Sequence, residues 1–270
     1  MQISNKPFLK WAGNKFSLLN KIKAVLPAGG RLVEPFVGTG AVFLNTEYKK
    51  YWINDLNTDL ITLYKVLAEN PQKFIRFAEK IFTPEDNTED RYYKLRSQFN
   101  ESTDPYEKSR IFLYMNRHGY NGLCRYNSKG KFNIPFGRYK KVYFPKEEML
   151  NFAQKITPTK LTSLSFEAVM KKAKLGDVIY CDPPYAPLSE TANFTGYHTS
   201  NFSSNQQEEL AMLAKELAKK GIPVIISNHD TPFTRKLYQG AIIEAFTVQR
   251  VISCNINERN RAKELLAIFN

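Results

Sequence analysis

The sequence predicts an α/β fold built around an open, mostly parallel sheet. A candidate for a short buried strand at residues 31–36 leads through Gly38 and Gly40 into a stretch compatible with a helix. A second candidate, residues 51–54, ends at Asp55, and a third, residues 178–181, ends at Asp182. Short buried runs of this kind that alternate with helices are typical of parallel strands. Because the carboxyl ends of parallel strands share one edge of the sheet, we expect a ligand site where these polar residues follow the strands.

The other elements follow from periodicity and capping signals. Ser204 and Gln207 form a candidate capping box for an amphipathic helix that ends at Gly221. Further helices are predicted over residues 41–45, 58–69, 71–100, 104–119 and 231–239, and further strands over residues 161–166, 177–181, 223–227, 242–252 and 264–269. Residues 186–202 are polar and without helical period, which predicts a long loop beside the site.

The order of these elements predicts one sheet domain made from both ends of the chain. Strands and helices are predicted to alternate in residues 1–69 and 151–270. Residues 70–150 are predicted to form an inserted, mainly helical domain. The chain has 270 residues, which is long enough for either one large domain or two smaller ones.

The charge distribution predicts an anionic partner. The formal net charge is +13. Residues 108–146 contain no Asp or Glu, while Lys and Arg recur among aromatic residues such as Tyr120, Tyr126 and Phe136. Basic side chains neutralise phosphates, and aromatic rings stack on bases or wedge between them. A solvated basic face with its aromatic rings in the core is the alternative, but so long a stretch without counter-charge favours nucleic acid.

Cysteine and histidine usage argues against a disulfide framework and against a metal site. The cysteines, Cys124, Cys181 and Cys254, and the histidines, His118, His198 and His229, are few and scattered. The N-terminus lacks a signal-like apolar core, and no stretch is long and apolar enough to span a bilayer. We therefore expect a cytoplasmic protein with no membrane partner, whose chemistry uses carboxylates, backbone groups and an organic cofactor.

The glycine turn and Asp55 are candidates for binding that cofactor. Two glycines two residues apart are also compatible with an ordinary tight turn. The alternative role of Asp55 is to cap the helix over residues 58–69. However, the order of strand, glycines, strand and acid is that of a nucleotide-binding unit, in which the acid accepts hydrogen bonds from ribose hydroxyls.

The motif Asp182-Pro183-Pro184-Tyr185 is the candidate catalytic motif. Prolines after an acidic residue commonly mark a turn, which is the structural alternative. The Asp182 carboxylate and the backbone carbonyl beside Pro183 are also both suited to accept hydrogen bonds from an exocyclic amine, and prolines stiffen such a turn. Tyr185 is suited to stack on the base that carries the amine. Such a site fits direct methyl transfer to a nitrogen of a planar base, which an enzyme must flip out of a duplex.

These motifs resemble those of the Dam-type DNA adenine-N6 methyltransferases, and the resemblance covers nearly the whole chain. The matching stretches are residues 8–13 (FLKWAG) with Lys15, 34–40 (EPFVGTG), 116–117 (NR) with 119–127 (GYNGLCRYN), 135–141 (PFGRYKK), 182–185 (DPPY) and 227–230 (SNHD). The resemblance implies a Rossmann-like, S-adenosylmethionine-dependent methyltransferase fold with an inserted DNA-recognition domain. It also implies methylation of adenine N6 in double-stranded GATC sites, with S-adenosylhomocysteine as the second product.

Site residues carried over from the family fall into three sets. For S-adenosylmethionine they are Trp11, Lys15, Phe36, Gly38, Asp55, Phe166 and Asp182, and the flipped adenine is assigned to the motif Asp182, Pro183, Pro184 and Tyr185. The base readers are Lys10, Leu123, Arg125 and Pro135, beside Asn121 and the wedge Tyr120; the phosphate contacts are Arg96, Asn127, Asn133 and Arg138. The side chain of Arg125 is also suited to bind a guanine, because its planar guanidinium can donate hydrogen bonds to O6 and N7 together.

The chain departs from the family pattern at two places, and several functional alternatives stay open at this stage. Asn14 stands where the family usually has a second glycine, and residues 256–258 replace a small-residue turn. An RNA or protein-amide methyltransferase, or a catalytically silent DNA-binding module, would also be compatible with parts of the pattern. We expect a monomer; the sequence does not distinguish a role in mismatch repair and DNA replication from protection against a partner endonuclease.

Overall fold

The computed structural model describes residues 4–157, 159–187, 202–249 and 261–270. The chain divides into two compact units. The first comprises the described parts of Met1–Asn20, Val37–Glu47 and Asp55–Ser163, and the second those of Lys21–Phe36, Tyr48–Asn54 and Leu164–Asn270. The functional division into residues 70–150 and the rest of the chain stays a prediction.

The second unit contains the sheet that the apolar runs predict. Its strands are β1 (Arg31–Glu34), β2 (Lys50–Asn54), β4 (Asp177–Cys181), β5 (Val224–His229), β6 (Ile242–Gln249) and β7 (Arg261–Phe269); β3 (Lys160–Thr162) belongs to the first unit. Within the second unit the order is β2-β1-β4-β5-β7-β6. Strands β2, β1, β4 and β5 run parallel, and β7 lies antiparallel between β5 and β6. The predicted α/β class is confirmed.

Helices are present at the stretches predicted over residues 41–45, 58–69, 104–119 and 231–239 and in the helix before Gly221. The stretch predicted as helical over residues 71–100 is divided into two α-helices, and the helices at 19–25, 146–156 and 166–170 are not predicted from the sequence. The helices of the described residues are α1 (Leu19–Val25), α2 (Ala41–Leu44), α3 (Thr58–Glu69), α4 (Pro71–Glu79), α5 (Glu89–Glu101), α6 (Pro105–His118), α7 (Lys146–Ile156), α8 (Phe166–Met170), α9 (Ser204–Lys219) and α10 (Pro232–Leu237). None of these helices is both long and apolar enough to cross a membrane.

Burial of apolar side chains explains the packing within each unit. In the second unit, Leu210, Leu213 and Leu217 on one face of α9 join a core that includes Val33 and Ile179 of the strands. In the first unit, α3 to α6 bury large aromatic and aliphatic side chains: Leu60, Tyr64, Phe74, Tyr92, Phe99, Phe112 and Tyr114. Each fully buried aromatic ring removes a large apolar area from water, which stabilises the helical unit.

Two expectations about local structure are wrong. The capping box of α9 is formed by Ser203 and Gln206, one residue before the predicted pair, because Ser203 is the last residue with extended backbone angles. The predicted strand over residues 161–166 ends at Thr162. Phe166 instead begins α8, and the Ser165 side chain accepts a hydrogen bond from the Ala168 amide there. Cys254, His198, residues 188–201 of the predicted loop, residues 250–252 and the departure at 256–258 lie outside the described residues.

A pair of charged residues joins the starts of β1 and β4. Arg31 donates from Nε and Nη2 to the two carboxylate oxygens of Asp177, at 2.9 and 2.7 Å. The Asp177 side chain is only 6% exposed. We therefore expect Arg31→Ala to lower the free energy of unfolding by about 1–3 kcal/mol, since it leaves a buried carboxylate without its partner.

Urea unfolding measures that loss, and a second arginine provides the control. Arg235 makes the same forked contact with Asp230, at 2.6 and 2.9 Å, but its side chain is half exposed. Exposed ion pairs contribute little, so Arg235→Ala should lower the free energy of unfolding less than Arg31→Ala does. Equal losses in the two variants would contradict the structural role given to the Arg31 contact.

Candidate active site and nucleic-acid interface

The point where the strand order reverses lies between β1 and β4. Strand β1 is paired in parallel with β2 on one side and with β4 on the other. Open α/β sheets bind ligands beyond the carboxyl ends of the strands at such a switch point. The segment that begins at Pro35 and the motif that begins at Asp182 follow these two neighbouring strand ends. The structure of the second unit therefore places Phe36 and Asp182 at the same edge of the sheet, as the sequence predicts.

The glycine turn is held by hydrogen bonds at its amide and its carbonyl. Gly38 N–H donates to Oδ2 of Asp55 at 3.0 Å, and its carbonyl accepts from the Tyr64 hydroxyl at 2.6 Å. The φ angles of Gly38 and Gly40 are +48° and +71°, which L side chains rarely adopt. A Cβ at Gly40 would also lie 3.1 Å from the Phe152 ring. Both glycines are therefore required by backbone geometry.

Asp55 joins the glycine turn to the start of α3. Its two carboxylate oxygens accept hydrogen bonds from the amides of Gly38 and Asn57, both at 3.0 Å. Burial raises the pKa of Asp55, and these two backbone hydrogen bonds act against that rise. Asn57, rather than Asp55, caps the helix, because its side chain accepts from Leu60 N–H. The structure therefore does not support the alternative in which Asp55 caps α3.

Trp11 and Lys15 lie in the segment that precedes α1. The indole of Trp11 is 3.9 Å from the position that a Cβ of Gly38 would occupy. Lys15 is buried, and its ammonium donates to the carbonyl of Gly13 at 2.7 Å. Asn14 has an ordinary φ of −52°, and its side chain accepts from Phe16 N–H at the start of the short helix that carries Lys15. The departure from glycine at this position is therefore compatible with the local backbone.

Three phenylalanines form a cluster in the second unit. Phe36 and Phe166 stack with ring centroids 5.5 Å apart, and Phe202 meets Phe36 edge-on at 5.6 Å. Beside them, the buried amide of Asn54 donates to the carbonyls of Pro35 and Leu164, both at 2.9 Å. The structure thus brings together Phe36 and Phe166, two of the residues that the resemblance assigns to the cofactor, with Phe202 and Asn54 beside them.

The carboxylate of Asp182 is oriented by the neighbouring strand β5. Ser227 donates from its hydroxyl to Oδ1 of Asp182 at 2.8 Å, and it accepts from the hydroxyl of Tyr180 at 3.2 Å. Burial raises the pKa of Tyr180, and the Asp182 charge raises it further. The phenol therefore stays protonated at neutral pH and remains a hydrogen-bond donor in this chain of contacts.

The rest of the motif is held by polar side chains from α9, β5 and β7. Gln207 donates to the carbonyl of Pro184 at 2.8 Å, and Asn228 accepts from Ala186 N–H at 3.0 Å. The hydroxyl of Tyr185 donates to Glu264 at 3.2 Å. Burial, followed by the charge of Asp182, raises the pKa of Tyr185, so this hydroxyl is also protonated. The backbone bends at Pro184, and polar side chains from three elements hold the motif.

Ser227, Gln207 and Asn228 are the residues of this scaffold that sequence reasoning missed. Asn228 also donates from its amide to Gln207 and to Tyr238, at 3.0 and 2.9 Å. The polar pair Ser227-Asn228 at the end of an apolar strand could have indicated a scaffold role, because a buried polar side chain requires hydrogen-bond partners. Their partners could not be identified from the sequence, because they lie far away along the chain.

Residues predicted to contact DNA surround a short turn in the first unit. Tyr120 is 48% exposed, and its amide donates to the carbonyl of Pro135 at 2.9 Å. The ammonium of Lys10 lies 4.4 Å from the centre of the Tyr139 ring, and burial, then Arg117, lowers its pKa. Asn121 has a φ of +53°, and its amide donates to the Tyr139 hydroxyl at 2.9 Å. The exposed aromatic ring of Tyr120 is suited to insertion between bases.

Arg125 lies on an exposed hairpin together with two of the predicted phosphate contacts. Its Nε donates to Oδ1 of Asn133 at 3.0 Å, so the Asn133 side chain orients the arginine. The side-chain oxygen of Asn127 accepts from the amides of Lys129 and Lys131, both at 3.0 Å, and closes the turn. The roles of Asn133 and Asn127 at phosphates stay predictions, while their roles in shaping the hairpin are visible in the structure.

The other two predicted phosphate contacts differ in exposure. Arg138 is exposed, has a φ of +52°, and approaches Glu89 at 3.4 Å in a contact between exposed side chains. Arg96 is half-buried and donates to the carbonyl of Ile134 at 3.0 Å. Leu123, one of the predicted base readers, is also half-buried, whereas Pro135 is exposed. Exposed ion pairs are weak, so Arg138 is available to an anionic partner.

The residues described hold no cluster of three His, Cys, Asp or Glu side chains arranged to bind a metal ion. In that part of the chain, Cys124 and Cys181 are free thiols, and burial raises the pKa of Cys124 to about 12.

The parallel sheet, the glycine turn after β1 and the acid-proline-proline-tyrosine motif after β4 define an α/β methyltransferase of Rossmann-like fold, as the sequence predicts. More narrowly, the chain belongs to the D12 class N6 adenine-specific DNA methyltransferases, whose family model matches residues 11–252. The prediction of an adenine-specific DNA methyltransferase is confirmed, and the family counts against RNA and protein-amide substrates.

Relatives along the full chain agree with this family. A "DNA adenine methylase" of Serratia marcescens is 52% identical over 98% of this chain and 98% of its own. A "DNA adenine methylase" of Escherichia coli K12 is 50% identical, covering 98% of this chain and 95% of its own. One from Vibrio cholerae is also 50% identical, with coverage of 98% and 96%.

Proposed function

We propose that this enzyme transfers a methyl group from S-adenosylmethionine to N6 of adenine in double-stranded GATC sites, after flipping the adenine out of the duplex. The observation that carries the proposal is the orientation of Asp182 by Ser227 within a stiff turn at the switch point of the sheet. Family membership supports the adenine, and the acid-free basic stretch supports duplex DNA. The proposal extends to a monomer that acts in the bacterial cytoplasm.

Each of the two units carries groups suited to an adenosine-containing sulfonium cofactor. The amide and carbonyl of Gly38 are fixed, Asp55 offers a carboxylate suited to ribose hydroxyls, and Phe36 and Phe166 present stacked rings suited to adenine. We assign cofactor binding to these residues and to Trp11 and Lys15, with Asp182 available to the amino-acid part. When bound, S-adenosylmethionine supplies an electrophilic methyl group on sulfur.

The motif residues would hold and activate the acceptor amine. Asp182 and the carbonyl of Pro183 would accept the two N6 hydrogens, which directs the nitrogen lone pair toward the methyl carbon. S-adenosylmethionine would supply the methyl carbon for the new bond to N6 and leave as S-adenosylhomocysteine, and the Asp182 carboxylate would accept the proton that the nitrogen loses. Tyr185 would stack on the flipped base, while its hydroxyl stays bonded to Glu264.

Methylation of defined duplexes tests this function directly. Purified protein with S-adenosylmethionine should make GATC-containing DNA resistant to an endonuclease that adenine methylation at GATC blocks. Mass spectrometry of the digested nucleosides should show N6-methyladenine. The matched control is a duplex in which one GATC base pair is replaced, which should gain little methyl. Equal methylation of the control would contradict the GATC specificity while leaving the enzyme class intact.

A further inference from the structure

The segment that carries Arg125 is a hairpin whose pairing is visible in the first unit. We call residues 123–133 the reading hairpin. Tyr126 and Phe132 pair across it, and Asn133 N–H donates to the carbonyl of Arg125 at 3.1 Å. Asn100 fixes the far strand, because its side chain bonds both the amide and the carbonyl of Phe132, at 2.8 and 3.1 Å. Arg125 is exposed, whereas the residues on either side of it are not.

Both neighbours of Arg125 are anchored to the first turn of α3. The Tyr126 hydroxyl donates to Oδ2 of Asp59 at 2.7 Å. Oδ1 of the same carboxylate makes an ion pair with Lys108 at 2.9 Å. On the other side of Arg125, the sulfur of Cys124 accepts from the Asn57 amide at 3.3 Å. The backbone of the reading hairpin is thus attached to a rigid helix at the two positions that flank the arginine.

The anchor at Asp59 has the properties of a strong hydrogen bond. The Asp59 side chain is only 16% exposed, and a hydrogen bond to an ionised acceptor with little water around it is stronger than one between neutral groups. Burial, followed by Cys124 and Asp59, raises the pKa of Tyr126, so its hydroxyl remains a donor at neutral pH. The Tyr126 ring also meets Phe132 edge-on at 5.7 Å, which fixes the direction of the phenol.

We infer that Asp59 and Tyr126 are positioning residues that set how well Arg125 discriminates the base pair it reads. The inference rests on the proposed function, in which Arg125 contacts a guanine. A bidentate contact tolerates displacements well below about 1 Å, so the arginine needs a rigid support. Asn133 already holds Nε, which leaves the two terminal nitrogens as the pair that reaches the base. The hydrogen bonds of Tyr126 and Cys124 to residues at the start of α3 fix the backbone of Arg125, and therefore the position of its guanidinium.

Tyr126→Phe tests the inference, because it removes only the anchoring hydroxyl and keeps the buried ring. The measurement is the ratio of kcat/KM for GATC duplex to that for duplexes with one replaced base pair. We expect this ratio to fall about threefold to tenfold at the base pair where Arg125→Ala lowers it, and not at the others. Asp59→Ala removes the acceptor of the same hydrogen bond and should lower the discrimination ratio by a similar factor. The double variant Tyr126→Phe, Asp59→Ala should lower the ratio no further than either single variant.

The control for a merely structural effect is Tyr48→Phe. Its hydroxyl donates to the carbonyl of Pro27 at 2.6 Å in the second unit. Both tyrosine variants should lower the melting temperature, but only Tyr126→Phe should change the discrimination ratio. In an Arg125→Ala background, Tyr126→Phe should change discrimination no further.

The outcomes separate the inference from the function it rests on. If Arg125→Ala lowers discrimination and Tyr126→Phe leaves it unchanged, the positioning role is wrong while the base-reading role stands. If Arg125→Ala itself leaves discrimination unchanged, the base-reading part of the proposed function fails. A fall in discrimination for Tyr126→Phe that persists in the Arg125→Ala background would also overturn the inference, since the effect would not pass through the arginine.

Discussion

Asp182→Asn is expected to lower the rate constant for methyl transfer by about 10²–10⁴-fold at saturating cofactor and DNA. The substitution keeps the size of the side chain, but it removes the negative charge and places an amide donor where an acceptor is needed. The adenine amine would then face a second donor, and the proton that it loses after methylation would have no carboxylate to accept it. Single-turnover kinetics with excess enzyme measure this step apart from product release.

Ser227→Ala provides the graded comparison for that variant. It leaves the charge of Asp182 in place and removes the hydrogen bond at 2.8 Å that orients Oδ1, together with the acceptor of the Tyr180 hydroxyl. Its rate should therefore fall between those of the wild type and Asp182→Asn, and its melting temperature should fall because a buried donor loses its partner. Cofactor binding by calorimetry and duplex binding by anisotropy must be measured for both variants, so that the comparison is made under saturation. A nearly unchanged single-turnover rate for Asp182→Asn would remove Asp182 from the catalytic step.

Arg125→Ala is expected to lower discrimination at one base pair of the site by about 1–3 kcal/mol. The guanidinium is exposed, and its Nε is held by Asn133, which leaves a planar fork to distinguish guanine from other bases. Loss of the side chain removes that distinction, but it also removes a positive charge. Affinity for all duplexes should therefore fall slightly, while the effect on specificity is confined to one position. The discrimination at each position is measured from the affinity for a series of duplexes, each with one base pair of the site replaced.

Arg138→Ala is the matched control, because it removes the same side chain from an exposed position of the same unit. We expect it to weaken binding to all duplexes alike and to reduce the salt dependence of binding, as loss of a phosphate contact does. Its exposed contact with Glu89 at 3.4 Å adds little to stability. If both arginine variants lost affinity without loss of specificity, the division into base readers and phosphate contacts would be wrong.

The elements that the sequence predicted correctly are those specified by local patterns. The strand candidates at 31–36, 51–54 and 178–181 form β1, β2 and β4, because their central residues, such as Val33, Ile53 and Ile179, are apolar and buried. The errors are local as well. The capping box is displaced by one residue, since Ser203, Ser204, Gln206 and Gln207 offer two pairs with the same spacing. Only the backbone angles, and the contact of Gln207 with Pro184, distinguish them.

The sequence by itself determined the fold class, the two motifs that follow β1 and β4, and the resemblance that led to the family. Each depends on residues close together in the chain, where spacing carries the information. Only the tertiary structure decided how the motif Asp182-Pro183-Pro184-Tyr185 is held, and that Asp59 supports the hairpin of Arg125. Ser227 is 45 residues from Asp182, and Tyr126 is 67 residues from Asp59. Hydrogen bonds over such separations leave no periodic pattern, because they arise when distant segments pack and buried polar groups must find partners.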